Sequence, residues 1–127
     1  MDYVALVIVL AILEYFFFMG MVGKARGDYS VKAPATTGDE MFERYYRVHQ
    51  NTLEQLVMFI PSIYCFGVYM HALGAAALGL LFLIGRMVYF KAYIADPDSR
   101  GVGMMIGFMS IMILMLGALV GIIIELI

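Results

Sequence analysis

From Val102 to Ile124 the chain runs for 23 residues without a charge, and this stretch limits the fold more than any other. Wound as a helix, an apolar run longer than roughly 18 residues matches the hydrocarbon thickness of a bilayer. In lipid the backbone must satisfy its own hydrogen bonds, which a helix does within one segment. Val4 to Gly23 is a second such run of 20 residues, interrupted only by Glu14. Ala72 to Phe90 is a third, small-residue-rich at its start and carrying Arg86 near its end. The chain is 64% hydrophobic and 14% charged, whereas soluble domains are about half apolar and a quarter charged. Lipid therefore solvates much of its surface. A net charge of -2 supplies no bulk attraction to nucleic acid. The single cysteine, Cys65, rules out an internal disulfide and reads as a small packing residue. The first run does not read as a signal peptide, because Asp2 stands where a basic region belongs and the run outlasts an h-region.

The remaining helix begins in the densest polar cluster of the chain, Glu43 to Glu54, and runs without a break into Leu56–Met70. That apolar part has 15 residues, or roughly 22 Å of helix against a core of about 30 Å. Part of the polar cluster must then lie inside the bilayer, where charges are costly and are held against other helices or a wet cavity. Thr37-Gly38-Asp39-Glu40 has the form of a capping box with Thr37 as N-cap. Pro61 is expected to kink this helix without ending it, because apolar residues continue beyond it. The polar stretches Lys24–Gly38 and Lys91–Gly103 read as loops, and His71–Gly74 as a short turn. We expect an all-α fold, an integral membrane four-helix bundle forming one domain over residues 1–127, with helices at about 3–23, 38–70, 73–94 and 101–126. The pairs Gly103/Gly107 and Gly117/Gly121 have GxxxG spacing, which permits close helix approach.

Charge asymmetry predicts the topology. Lys24, Arg26, Lys32, Arg44 and Arg47 surround the first loop, and Arg86, Lys91 and Arg100 surround the third. The second loop and both termini carry no Lys or Arg. By the positive-inside rule, loops one and three are cytoplasmic and both termini lie on the opposite side.

Two polar faces lie at that end. Arg44, Arg47, Asn51 and Glu54 recur at spacings of three and four on the second helix, and Arg86, Tyr89 and Tyr93 do so on the third. Guanidiniums, one carboxylate, one amide and two phenols suit a small zwitterion with more than one carboxylate. The plainer alternative is an interfacial belt, since Tyr and Arg anchor helices at this depth. Asn51 and Glu54 fit that alternative least, because a carboxylate and an amide below the interface anchor nothing. Glu14 reads either as a proton-coupled group or as a carboxyl paired with a second-helix donor or a tyrosine; we favour the pairing. His49 stands apart without a second ligand at suitable spacing, so no metal is expected. The methionines Met104, Met105, Met109, Met112 and Met115 read as packing or lipid-facing residues.

Phe42-Glu43-Arg44-Tyr45-Tyr46-Arg47-Val48-His49-Gln50-Asn51-Thr52-Leu53-Glu54 closely resembles the signature of the MAPEG family, the membrane-associated proteins of eicosanoid and glutathione metabolism. Gly85-Arg86-Met87-Val88-Tyr89-Phe90-Lys91-Ala92-Tyr93 followed by Arg100 does so too, as do Lys24-Ala25-Arg26 and Pro34-Ala35-Thr36-Thr37-Gly38. The resemblance implies a homotrimer with glutathione bound between subunits at the cytoplasmic side. It implies that Arg47, Asn51, Glu54, Tyr89 and Tyr93 hold the tripeptide, with Arg26 helping from the adjacent chain. Arg100 would stabilise the glutathione thiolate, since a nearby guanidinium favours the anion of a thiol. Gln55 departs from the tyrosine of some eicosanoid synthases, so their lipid specificity is not carried over. The expected activity is a glutathione transferase or peroxidase of detoxification type, acting on hydrophobic electrophiles or lipid hydroperoxides from the membrane. Two rivals are a non-catalytic MAPEG-like protein that binds glutathione or a lipid, and a small four-helix proton-coupled multidrug transporter using Glu14.

Overall fold

A computed structural model describes all 127 residues. Four long helices run up and down: α1 (Asp2–Asp28), α2 (Glu40–Tyr69), α3 (Ala72–Ala95) and α4 (Gly101–Leu126), with a single 3-10 turn at Pro97–Ser99 before α4. There is no strand, and each helix is long and apolar enough to cross a membrane. Many large apolar side chains lie on the outside, including Leu6, Leu13, Phe16, Ile84, Phe108 and Leu116. A surface of that kind needs lipid or another subunit as its solvent.

The ends of the helices differ in detail from the local sequence pattern. Lys24-Ala25-Arg26 is helical, not loop. Val22 and Ala25 are buried against Phe42 and Val31, so apolar packing carries α1 beyond its uncharged run. The capping box at Thr37 does not form. Asp39 is the N-cap of α2, its Oδ1 accepting from the Phe42 amide at 3.0 Å, and Glu40 is already the first helical residue. Gly38, at φ 132°, turns the chain immediately ahead of that cap. Pro61 lies inside α2, which continues to Tyr69. His71 begins α3 by accepting from the Gly74 amide on Nδ1 at 2.8 Å.

The core is a stack of layers, each fed by one residue from several helices. Phe18, Val48 and Tyr89 touch one another near the basic end. One turn deeper come Glu14 on α1, Thr52 on α2 and Arg86 on α3, with Thr52 and Arg86 hydrogen-bonded. Below them the main apolar core begins with Ala11, Leu56 and Phe82 and continues through Phe59, Ile63 and Leu114. Phe59 and Phe82 stack at 4.0 Å between centroids.

The glycine pairs of α4 serve this packing inside the protomer. A Cβ on Gly103 would lie 2.7 Å from the Tyr89 Cα, and one on Gly121 would lie 2.6 Å from the Tyr69 carbonyl oxygen. Backbones meet there, which only glycine allows. The close approaches that Gly103 and Gly121 permit are thus made to α3 and to the end of α2.

Candidate functional site

On α2, Arg47 and Glu54 stand two helical turns apart on one face. Arg47 Nη1 lies 3.6 Å from Glu54 Oε1, and the two side chains are 51% and 50% exposed. The separation is long for a charge-assisted hydrogen bond, so each group keeps most of its bonding capacity. Asn51 sits between them in sequence but is buried, 5% exposed, and its Oδ1 has no hydrogen-bond partner. That carbonyl is thus an acceptor the protomer itself leaves unsatisfied.

Arg44 shares the helical spacing but not the role. Its Nη1 donates to the carbonyls of Ile94 at 2.8 Å and Ala95 at 3.3 Å, and its Nη2 meets Glu40 at 3.0 Å. It satisfies the last carbonyls of α3 and ties that helix end to α2. The four-residue face read from the sequence is therefore a three-residue face plus a staple.

The α3 side chains are anchored from within. Arg86 is only 2% exposed. Its Nη2 donates to Thr52 Oγ1 at 2.8 Å, and Thr52 in turn donates to the Val48 carbonyl at 2.7 Å. The Arg86 guanidinium lies 4.4 Å from the centre of the Tyr89 ring, within the range of a cation–π contact. Tyr93 stacks on Tyr89 in turn, the two ring centres 5.5 Å apart at an interplanar angle of 19°. Arg86, Arg47 and Arg100 all lie within electrostatic reach of the Tyr89 phenol, and Arg86 also reaches Glu54. The faces of α2 and α3 and the start of α4 thus converge on Tyr89.

Arg100 is exposed at the head of α4 and donates to the Pro97 carbonyl at 3.2 Å. The turn that presents it is held by Asp96 Oδ1 accepting from the Asp98 amide and by the Ser99 hydroxyl on the Ala92 and Asp96 carbonyls. Arg26 is placed elsewhere. It donates to the Ala35 carbonyl at 2.7 Å and its guanidinium covers the Phe42 ring at 4.8 Å. Within one protomer Arg26 ties the last turn of α1 to the first loop and the start of α2, apart from the Tyr89 cluster.

Thr52 escaped the sequence reading, and His49 and Glu14, both singled out there, have surroundings it did not give. Thr52 is the acceptor that a buried guanidinium requires, yet it has no signature beyond being a hydroxyl one turn below Val48. His49 stacks on Tyr15 at 4.6 Å, with neither ring nitrogen bonded. Glu14 is not paired with an α2 donor or a tyrosine. Its Oε1 is buried without a hydrogen-bond partner, and the charge that reaches it is Arg86 on α3. A groove of about 190 Å³ between α2 and α4 is lined by Gln55, Met58, Phe108, Ile111, Met112 and Met115. It begins at the residue following Glu54.

Comparison with known proteins places this arrangement. The model of the MAPEG family matches residues 4–120, which contain every residue of the candidate site. An uncharacterized protein of Synechocystis sp. is 44% identical over 122 residues, 96% of this chain and 89% of that one. The microsomal glutathione S-transferase 2 of Homo sapiens is 37% identical over 117 residues, 91% of this chain and 79% of its own length. The leukotriene C4 synthase of Cavia porcellus is 36% identical over 96 residues, 76% of this chain and 64% of its own. With four helices fit to cross a membrane and a family match over nearly its whole length, this chain is a multi-pass integral membrane protein and belongs to the MAPEG family.

Proposed function

We propose that this protein is a membrane-bound glutathione transferase with glutathione peroxidase activity, working as a homotrimer. The observation that carries the reading is the half-open α2 face. Arg47 and Glu54 are loosely paired and half exposed, and Asn51 Oδ1 between them is buried and unpaired. A charged face on a membrane helix is costly to leave against lipid, so a polar ligand or another subunit must cover it. Glutathione has the matching groups: two carboxylates for guanidiniums, an ammonium for Glu54 and peptide groups for the Asn51 amide. Tyr89 and Tyr93 flank it from α3. Arg26, turned away from the Tyr89 cluster of its own protomer, is assigned to the site of the adjacent subunit.

Arg100 stands at the rim, where the start of α4 adds a partial positive charge. There it stabilises the glutathione thiolate, and the thiol proton leaves to water. With an electrophilic carbon the thiolate forms a thioether and the leaving group departs with the bonding pair. With a lipid hydroperoxide it attacks the terminal oxygen and breaks the O–O bond. The alcohol leaves after taking up a proton, and a second glutathione converts the resulting sulfenic acid to the disulfide and water. The groove beside Gln55 offers an apolar bed for such a substrate, reached from the bilayer. The basic end, with loops one and three, faces the cytoplasm, and both termini lie opposite.

The test is a titration of the purified protein with glutathione, followed by calorimetry and by thiolate absorbance, with conjugation of a generic aryl halide measured alongside. We expect saturable binding, a rise in thiolate absorbance at neutral pH and turnover. Absence of binding overturns the proposal; binding without turnover identifies a non-catalytic family member.

A further inference from the structure

One layer of the core stays unused by this mechanism. Glu14 lies one turn from Phe18, Thr52 one turn from Val48, and Arg86 one turn from Tyr89. Phe18, Val48 and Tyr89 touch one another, and Ala11, Leu56 and Phe82 open the main apolar core on the other side. The polar layer is therefore closed by apolar side chains above and below. Within it, Arg86 has one bond, to Thr52, and its Nε–H is buried with no acceptor. Glu14 Oε1 is a buried acceptor with no donor. The two defects are complementary, and the two groups lie within electrostatic reach of each other.

We infer that Glu14 is the acidic partner of Arg86 and, resting on the glutathione reading above, a positioning residue of that site. Arg86 lies within electrostatic reach of two carboxylates, Glu14 on α1 and Glu54 on α2. Glu54 is the group assigned to the ligand ammonium. While Glu14 holds the guanidinium in its layer, Arg86 stays flat against Tyr89 and Glu54 stays free. Without Glu14, the guanidinium keeps its charge in a low-dielectric site and turns to the one carboxylate left in reach. That movement withdraws Glu54 from the ligand and unseats the Tyr89 ring. The loss is asymmetric. If Arg86 is removed instead, the Glu14 carboxyl can take up a proton and remain buried in neutral form, whereas a guanidinium has no neutral alternative.

The experiment compares wild type, Glu14→Gln, Arg86→Met and the double variant in lipid nanodiscs, reading thermal unfolding and glutathione affinity. Glu14→Gln is expected to weaken glutathione binding about tenfold, a typical coupling for charges in one network. The double variant should bind more tightly and melt higher than Glu14→Gln alone. In a Glu54→Gln background, Glu14→Gln should add no further loss of affinity, a result that general loosening of the bundle does not produce. Unfolding temperatures whose changes simply add overturn the pair whether or not glutathione binds. Wild-type affinity in Glu14→Gln overturns its positioning role. If wild type itself binds no glutathione, the proposed activity fails, and the unfolding cycle still decides whether Glu14 balances Arg86.

Discussion

Arg86 and Thr52, 34 residues apart, meet at 2.8 Å in a layer with almost no solvent access, and that bond locks α3 to α2 one turn below Tyr89. The hydroxyl is the one side-chain acceptor bonded to the guanidinium. Thr52→Val keeps the shape and removes the acceptor. A buried charged donor left without its partner costs on the order of 1–3 kcal/mol. We expect a lower unfolding temperature in detergent and weaker glutathione binding, because Tyr89 rests on Arg86. A Thr52→Ser variant should retain most of both. Equal unfolding temperatures for the valine variant and wild type would mean that Arg86 finds its stabilisation elsewhere.

Arg47 and Glu54 are each assigned to an opposite charge on the ligand. Removing one leaves a ligand charge unpaired in a desolvated site, a loss on the order of 2–5 kcal/mol. Arg47→Ala and Glu54→Gln should each raise the glutathione dissociation constant at least about tenfold, which is roughly 1.4 kcal/mol. Calorimetry gives the answer directly. Unchanged affinity in both variants would make this face structural.

Arg100 is exposed at the rim, held only to the Pro97 carbonyl. Its charge acts on the thiol, which is one part of a ligand bound elsewhere. Arg100→Leu should therefore cost turnover more than binding. We expect affinity within a few-fold of wild type, loss of thiolate absorbance at neutral pH and rates lower by about 10²-fold, the usual effect of losing one electrostatic stabiliser. Aryl halide conjugation and lipid hydroperoxide reduction are the two assays. Wild-type rates in both would remove Arg100 from the mechanism.

Assembly is the remaining prediction. Gly103 and Gly121 lie against Tyr89 and Tyr69 of their own chain, so the subunit contact must use other surfaces. The half-exposed charges of α2 are the natural candidates, since association hides them from lipid. Native mass spectrometry in mild detergent should show a trimer, and Arg26→Ala should weaken glutathione binding although within a protomer Arg26 meets only the Ala35 carbonyl and the Phe42 ring. A monomer with full glutathione affinity would rule out a site shared between subunits.

The sequence alone determined the four apolar helices, the basic end and the two polar faces. These are local properties. Hydrocarbon thickness sets the length of an apolar run, and 3.6 residues per turn sets which side chains share a face. The same periodicity placed Arg47, Asn51 and Glu54 together, and Arg86 with Tyr89 and Tyr93. Tertiary structure decided which of those polar groups remain available. Arg44 has the same spacing as Arg47 but is consumed by the Ile94 and Ala95 carbonyls, because the end of α3 happens to lie beside it. Asp39 caps α2 in place of Thr37, since the first turn starts where Phe42 is pulled into a cluster with Val22 and Ala25. Glu14 on α1 comes within electrostatic reach of Arg86 on α3, and the glycines of α4 meet their own bundle. Each of these depends on how far one helix is rotated and slid against another. Those two variables are settled by packing the whole cross-section at once, and no window of sequence contains them.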